Sequence, residues 1–351
     1  MTSRTFHVGL LYLNSLFGED LLKRLNQVEP FYNQKKERIS IRAEHLWIQE
    51  ADLQYHPKYH LIIDRISHLL KQTCGLLMNY AFSGVHIVNN PLSFHYFMAH
   101  KDVGYFLARS LGIPIPKTIA LPTHFTPQLT IEDFKYHRHW DWKALIEQIQ
   151  LPCILKPAAG RAGQDVHLVR NLEELITLYK NSGNKVMLLQ ETVKSPYNWQ
   201  LRCLCIGKKI IIFKYRFGQY DTSQYITNES FLPPEQEKAV IHHCRILNRI
   251  HGYEMNSVEF ILDHQGVPWA IDFNNPIPDG RREALGDDFY QDYQEALVDF
   301  VKQVAYEQKP SYFLPDLNPY SRIAQMSCSL EEKYKLALQE ANLYYLADGP
   351  A

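Results

Sequence analysis

The sequence predicts an α/β protein in which an α+β unit follows a parallel N-terminal layer. Three patterns carry that expectation. The first hundred residues alternate strand-like and helix-like segments, as parallel strands joined by helical crossovers do. Two later stretches, 201–217 and 258–276, each read as apolar runs joined by a short polar turn, which is hairpin patterning. Several amphipathic segments carry recognisable helix caps.

At 351 residues the chain is long enough for two or three domains with their own cores. Hydrophobic residues make up 46% and charged ones 21%, an ordinary globular composition. The formal net charge of −1 supplies no global attraction to nucleic acid or to an anionic membrane, so neither is expected as a partner. No apolar run is long enough to span a bilayer, and "MTSRTFHVGLLYLNSLFGED" turns polar too soon for a signal peptide. The six cysteines lack paired zinc spacing, and Cys203 and Cys205 alternate towards the core of one strand. A reducing, cytoplasmic setting is expected.

In chain order, strand-like "FHVGLLYL" precedes helical "EDLLKRLNQ". Strand-like "IRAEHLW" and "HLIID" follow, then a helical run through "ISHLLKQTCGLLMNYAF" and a strand at "VHIVN". Pro91 opens a helical stretch that Gly112 and "IPIPKT" close. Residues 122–142 read as a polar, aromatic loop, in which "YHRHW" is a solvated segment rather than a metal site. Helical "WKALIEQIQ", strand "LPCILKP", the glycine-containing "AAGRAGQDVHLV" and a helix capped by Asn171 come next. Strand "KVMLLQE" and the hairpin "LRCLCIGKKIIIFKYRF" lead to a helix from Pro233–Pro234 to Gly252. His242, His243 and Cys244 are consecutive on that helix, point in different directions and cannot chelate together. A further helix, "DDFYQDYQEALVDFVKQVAYE", a Pro-rich linker at 309–320 and an amphipathic terminal helix complete the chain.

The stretch "VEFILDHQGVPWAIDFNNP" places carboxylates inside apolar runs, which is costly unless something pairs with them. With Asp263–Gly266 as the loop, Leu262 faces Val267 and Glu259 faces Ala270. Alternation then puts Glu259, Asp272 and Asn274 on one face, the two carboxylates as diagonal neighbours roughly 7–8 Å apart at the backbone. Such an all-oxygen set suits a hard cation such as Mg²⁺. A solvent-facing polar stripe on an edge hairpin is the alternative, which Pro268 would suit.

Four further features accompany the hairpin. In "ILKPAAGRAG" a strand ends in Lys156 and enters a loop with Gly160 and Gly163, a fixed cation beside free backbone N–H groups, as a polyphosphate requires. "LLQE" turns polar at Gln190 and Glu191; Lys101 stands in "HKD"; Arg202 and Arg216 lie on or near the 201–217 hairpin and suit oxyanions. Each alone is more often a solvated surface charge.

In this order they resemble the ATP-grasp superfamily, and within it the branch of glutathione synthetase and the ribosomal-protein-modifying glutamate ligases. The stretches concerned are "NNPLSFHYFMAHKDVGYFLARSLGIPIPKT", "LPCILKPAAGRAGQDVHLV", "LLQETV", "WQLRCLCIGKKIIIFKYR" and the 258–276 hairpin. The resemblance implies an ATP-grasp fold with an N-terminal Rossmann-like pre-ATP-grasp domain at 1–99. A lid and central region with the glycine loop would span 100–189, the C-terminal ATP-grasp domain 190–308, and a linker and helix 309–351. It implies that Lys101 and Lys156 bind ATP phosphates with Gly160 and Gly163, and that Gln190, Glu191, Thr192 and Val193 hold the adenine. Glu259, Asp272 and Asn274 would hold Mg²⁺, with Mn²⁺ as a substitute. "LIIDRIS" resembles the family's strand–arginine segment and puts Arg65 at the substrate. Lys156, Arg216 and Arg202 are the expected catalytic residues, Arg216 foremost for the phosphate and the tetrahedral intermediate.

The implied reaction joins a small-molecule or peptide carboxylate to an amine, or a thiol, through an acyl phosphate, releasing ADP and phosphate. The oligomeric state is open, a homodimer included. A non-ligating ATP-binding module working through a protein partner, and a kinase on the same fold, are the competing readings. The sequence departs from the family in four places. The metal acids are exchanged in length; Gln164 replaces a small residue; Gln200 replaces an acidic one; and the distal arginine–asparagine pair is missing, with only "SQYITN" as an echo.

Overall fold

A computed structural model describes residues 3–13, 15–47, 58–124, 141–160, 164–216, 225–226, 231–308 and 317–346. "YHRHW", Gly163 and most of "SQYITN" lie outside these residues. Three sheets organise the chain. The first has the order β2 (Phe31–Tyr32), β3 (Arg38–His45), β1 (Ser3–Leu11), β4 (Leu61–Asp64), β5 (His86–Val88). All its pairings are parallel except the β2 edge. Helix α1 (Leu16–Asn26) packs on β3, and α2 (Lys71–Phe82) packs near β5. The alternating pattern of the first hundred residues therefore folds as the parallel layer it predicts.

Helices α3 (Pro91–Ala99) and α4 (Lys101–Ser110) then lead to a four-stranded antiparallel sheet. Its order is β6 (Thr118–Leu121), β9 (Met187–Glu191), β7 (Cys153–Pro157), β8 (His167–Val169). Its apolar face packs α5 (Trp142–Ile149) and α6 (Leu172–Asn181) around Leu155, Val169, Leu175 and Leu189. The opposite face carries Lys156 and Gln190, which bond to each other.

The third sheet runs β12 (Tyr225–Ile226), β11 (Lys209–Tyr215), β10 (Gln200–Ile206), β13 (Met255–Leu262), β14 (Pro268–Asn275). Alternation along β10 sends Leu201, Cys203 and Cys205 into a core shared with α4, α7 (Pro234–His251) and α11 (Leu330–Tyr345). Leu204 and Ile206 enter the core formed by the N-terminal layer and α9 (Asp287–Glu307). This sheet is thus packed on both faces. Arg202 shares the second face but lies closer to its open end, beside Glu259.

Three sequence expectations are corrected. The continuous helix from Pro91 breaks at His100, whose non-helical backbone (φ −132°, ψ 60°) separates α3 from α4. The break makes Lys101 the first residue of α4 and buries it. Helix α4 also approaches α7 closely, because Gly104 has no Cβ; one placed there would stand 2.6 Å from Nε2 of His251. Part of the segment read as linker is helical, as α10 (Asn318–Gln325), and α8 (Arg282–Leu285) precedes α9. Finally, the β13–β14 register differs by one residue: Leu262 pairs with Pro268 and Phe260 with Ala270. Irregularities on β14 then bring Glu259 directly opposite Asp272, where strict alternation makes them diagonal.

Asn89 ties the N-terminal layer to the third sheet. It donates to the carbonyls of Met255 (2.6 Å) and Pro276 (3.2 Å), and its Oδ1 accepts from the N–H groups of Glu254 and Met255. Asn89→Ala would strand these buried backbone groups and is predicted to cost about 2–4 kcal/mol in urea denaturation. A loss below about 0.5 kcal/mol would show that the tie is dispensable.

Candidate functional site

The charged residues singled out in the sequence meet where the second and third sheets face each other. Lys101 Nζ lies 3.2 Å from Asp272 Oδ2. Arg202 forms an ion pair with Glu259, which also accepts from Gln200 Nε2 at 2.9 Å. Lys156, at the end of β7, donates to Tyr105 Oη (2.8 Å), Gln190 Oε1 (2.9 Å) and the Ile271 carbonyl (2.9 Å). Tyr105 bonds the same carbonyl, and Gln190 is fixed in turn by Thr118 Oγ1 at 2.8 Å. Two lysines, one arginine and two carboxylates therefore form one connected cluster drawn from α4, β7, β10, β13 and β14.

The electrostatics follow from burial against pairing. Burial alone would raise the Asp272 carboxyl, but Lys101 and Lys156 outweigh it and hold the group below its ordinary value of 3.8. Burial lowers the Lys156 ammonium to about 8; Lys101 adds to the shift, while Asp272 and Glu259 oppose it. Burial likewise disfavours the Arg202 guanidinium, yet Glu259 and the hydroxyls of Tyr225 and Tyr215 keep it firmly charged. Its plane stacks 3.8 Å from the Tyr215 ring centroid, and Nη1 donates to Tyr225 Oη at 3.0 Å.

Other expected residues sit at varying distances from this cluster. Gly160 follows the strand that presents Lys156; a Cβ there would press on the Pro157 ring at 2.6 Å. Glu191 ends β9 and pairs with the Lys117 backbone through both its N–H and its carboxylate, while Thr192 and Val193 continue half-buried beyond it. Arg216 is exposed just past β11, with no contact to the cluster among the described residues. Arg65 turns to Tyr293 Oη (2.8 Å) and the Pro278 carbonyl (2.9 Å), so its donors serve the fold around the site. Asn274 is buried with its amide engaged: Oδ1 accepts from Tyr253, and Nδ2 donates to the Phe97 carbonyl.

Tyr105, Thr118, Tyr215 and Tyr225 are not marked as site residues by the sequence, and Gln200 only as a departure from the family. Each is polar at an ordinary position, and only the packing of distant elements gives it a charged neighbour. A cleft of about 820 Å³ between α4, β6, α10 and α11 adjoins the network through Tyr105 and Thr118, but Lys156, Glu259 and Asp272 do not line it.

The donor set fits a hard divalent cation. Glu259 and Asp272 offer oxygens side by side, and both carry a cation partner already, as expected where excess negative charge must be offset. No group of three or more His, Cys, Asp or Glu side chains suited to a metal exists among the described residues. An ion here would therefore draw further oxygens from a bound phosphate, the usual habit of Mg²⁺.

The Asp272–Lys101 pair has a pH signature. A carboxyl held below its unfolded value contributes stability above that value and loses it as pH falls through the lowered one. Lys101→Met is predicted to cost about 1–3 kcal/mol at pH 7 and progressively less towards about pH 3. Urea denaturation across that range tests it, and a pH-independent difference would exclude the coupling.

Comparison with known proteins bears on the fold that holds this cluster. Residues 130–223 match the family model of a RimK-like ATP-grasp domain. A probable alpha-L-glutamate ligase of Histophilus somni (strain 2336) is 24% identical over 223 residues, which cover 60% of this chain and 67% of that protein. Among solved structures, the ATP complex of D-alanine–D-alanine ligase from Bacillus anthracis superposes with a TM-score of 0.56 at 14% identity, covering 85% of this chain and 96% of the other. A RimK domain ATP-grasp protein from Sphaerobacter thermophilus gives a TM-score of 0.55 at 16% identity, covering 84% and 99%. With its parallel N-terminal layer and its two facing sheets, the chain has the ATP-grasp fold of these structures, and within it residues 130–223 are similar to the RimK-like domain.

Proposed function

We propose that this protein is an ATP-dependent carboxylate–amine ligase that activates a carboxylate as an acyl phosphate and releases ADP and phosphate. The observation that carries the reading is the convergence of Lys101, Lys156 and Arg202 on the Glu259–Asp272 pair. Lys156 and Lys101 are suited to the phosphate tail, the backbone around Glu191 to Val193 to the adenine, and Arg202 to the oxyanions of the transferring phosphoryl group. Mg²⁺, held by Glu259 and Asp272 with the Asn274 oxygen nearby, would offset charge between the β- and γ-phosphates. Arg216, exposed just past β11, is the second candidate for the acyl phosphate. The name of the Histophilus relative makes L-glutamate the first amine to try.

ATP should be cleaved to ADP and phosphate, and hydroxylamine should trap the activated acid as a hydroxamate. Lys156→Ala should suppress both signals, since a charge contact at such a site is worth about 2–4 kcal/mol. A screen of acid and amine pairs with product masses tests this; AMP and pyrophosphate as products would overturn it. ADP release indifferent to every added acid and amine would favour a module that binds nucleotide without ligating.

The Lys156 value near 8 adds a pH dependence. The ammonium is charged below that value, and phosphates favour the charged form. ATP affinity should therefore fall as pH rises past about 8, with proton uptake on binding in that range. Calorimetry in two buffers of different ionisation enthalpy measures the uptake, and none at about pH 8.5 would show that Lys156 does not meet the phosphates.

A further inference from the structure

The cleft of about 820 Å³ beside the cluster has no part in the reaction outlined above, and its size suits an organic ligand. It lies at the joint between two bodies. One wall comes from α4, α10 and α11, with Tyr105, Ala324 and Leu330; the other comes from β6 and β9 of the second sheet, with Thr118, Ala120 and Leu188. Phe106 and Leu330 line the cleft and are still 74% and 56% exposed. Most of the lining is apolar, so an occupant needs an apolar body.

Charge selects the head group. Arg109 is exposed, and its guanidinium has no hydrogen bond or ion pair among the described residues. Lys333 Nζ donates to the Ala324 carbonyl at 2.7 Å and has further N–H donors to offer. These two cations share one end of the cleft. Gly112 closes α4 against the start of α11, where a Cβ on it would stand 2.5 Å from the Leu330 carbonyl oxygen. Arg109 lies one turn before that contact and Lys333 one turn after it. Asp102, the acid of the lining, is two turns from Arg109 along α4, about 10.5 Å away. The basic end therefore suits a carboxylate or sulfonate. Both walls also reach the cluster. Tyr105 joins Lys156 to the α4 body, and Thr118 fixes Gln190, the other side chain that Lys156 bonds.

We propose that the cleft is a regulatory site for an amphipathic organic anion, its apolar body between β6 and α10 and its acidic head on Arg109 and Lys333. Such a ligand touches both walls at once and so stabilises the arrangement in which they stand this far apart. In that arrangement Lys156 bridges the two bodies, bonded to Tyr105 on one side and Gln190 on the other, within the influence of Asp272. The anion and the nucleotide therefore bind cooperatively, each raising the affinity for the other by the same factor. The proposal rests on the ligase reading for its effect at the nucleotide, but not for the site itself.

The probe is 1-anilinonaphthalene-8-sulfonate, an aromatic anion that fluoresces in apolar surroundings. Its neutral counterpart is N-phenyl-1-naphthylamine, which lacks the sulfonate. The wild type should bind the anionic dye, and a non-hydrolysable ATP analogue with Mg²⁺ should tighten that binding about fivefold or more. Arg109→Gln should weaken the anionic dye about fivefold or more and leave the neutral dye within about twofold. Ala120→Trp fills the cleft from an exposed strand position and should abolish binding of both dyes. Without dye, both variants should bind the analogue as tightly as wild type. Dye binding that survives Ala120→Trp would place the dye elsewhere and overturn the proposal. An Arg109→Gln variant that treats the two dyes alike would overturn the acidic head. An analogue that leaves dye affinity unchanged, or lowers it, would overturn the regulatory role. A wild type that binds the dye but no analogue would remove the ligase reading and the regulatory role with it, while loss of the dye in Ala120→Trp would still establish the site.

Discussion

Everything at the centre of this protein depends on buried charges neutralising one another across element boundaries. Lys101 answers Asp272, Arg202 answers Glu259, and Lys156 is held between a phenol, an amide and a carbonyl. Five charged groups brought together without these pairings would carry desolvation penalties larger than a domain's net stability. The pairings are therefore a condition of folding as much as of function. On the proposed reading, nucleotide binding would have each cation exchange a carboxylate or neutral acceptor for a phosphate oxygen, and each carboxylate exchange a cation for a metal ion. Because charge is balanced before and after, the exchange moves electrostatic energy between partners without exposing it to water.

The architecture explains how such a cluster is held. The third sheet is buried on both faces, so the strands bearing Arg202, Glu259 and Asp272 cannot shift without disturbing two cores. Helix α4 presses against α7 through Gly104 and delivers Lys101 from its first turn. Lys156 alone comes from the other sheet, whose core around Leu155 and Leu189 is separate from those two. A hinge between the sheets would thus change the position of Lys156 relative to the carboxylates while leaving Lys101, Arg202, Glu259 and Asp272 in place.

The N-terminal layer contributes by support. Asn89 saturates the backbone where β13 begins, and Arg65 holds both the loop after β14 and Tyr293 of α9. The arginine expected at the substrate is thus bonded to the fold on both sides. An arginine with both terminal nitrogens committed in this way has little left to offer a ligand directly.

The sequence by itself determined the α/β class, most strands and helices, and the lysines and carboxylates that meet in one cluster. Those follow from periodicity, caps and the cost of charge in apolar strands, all of which are local. Tertiary structure decided the register that sets Glu259 opposite Asp272, because irregularities on β14 break the strict alternation assumed from the sequence. It decided the break at His100, the helix at Asn318–Gln325, and the partners of every charge: Tyr105 for Lys156, Tyr215 and Tyr225 for Arg202, Tyr253 for Asn274. These contacts join residues that are in most cases tens of positions apart, and a neutral tyrosine becomes part of a charged site only when packing desolvates both.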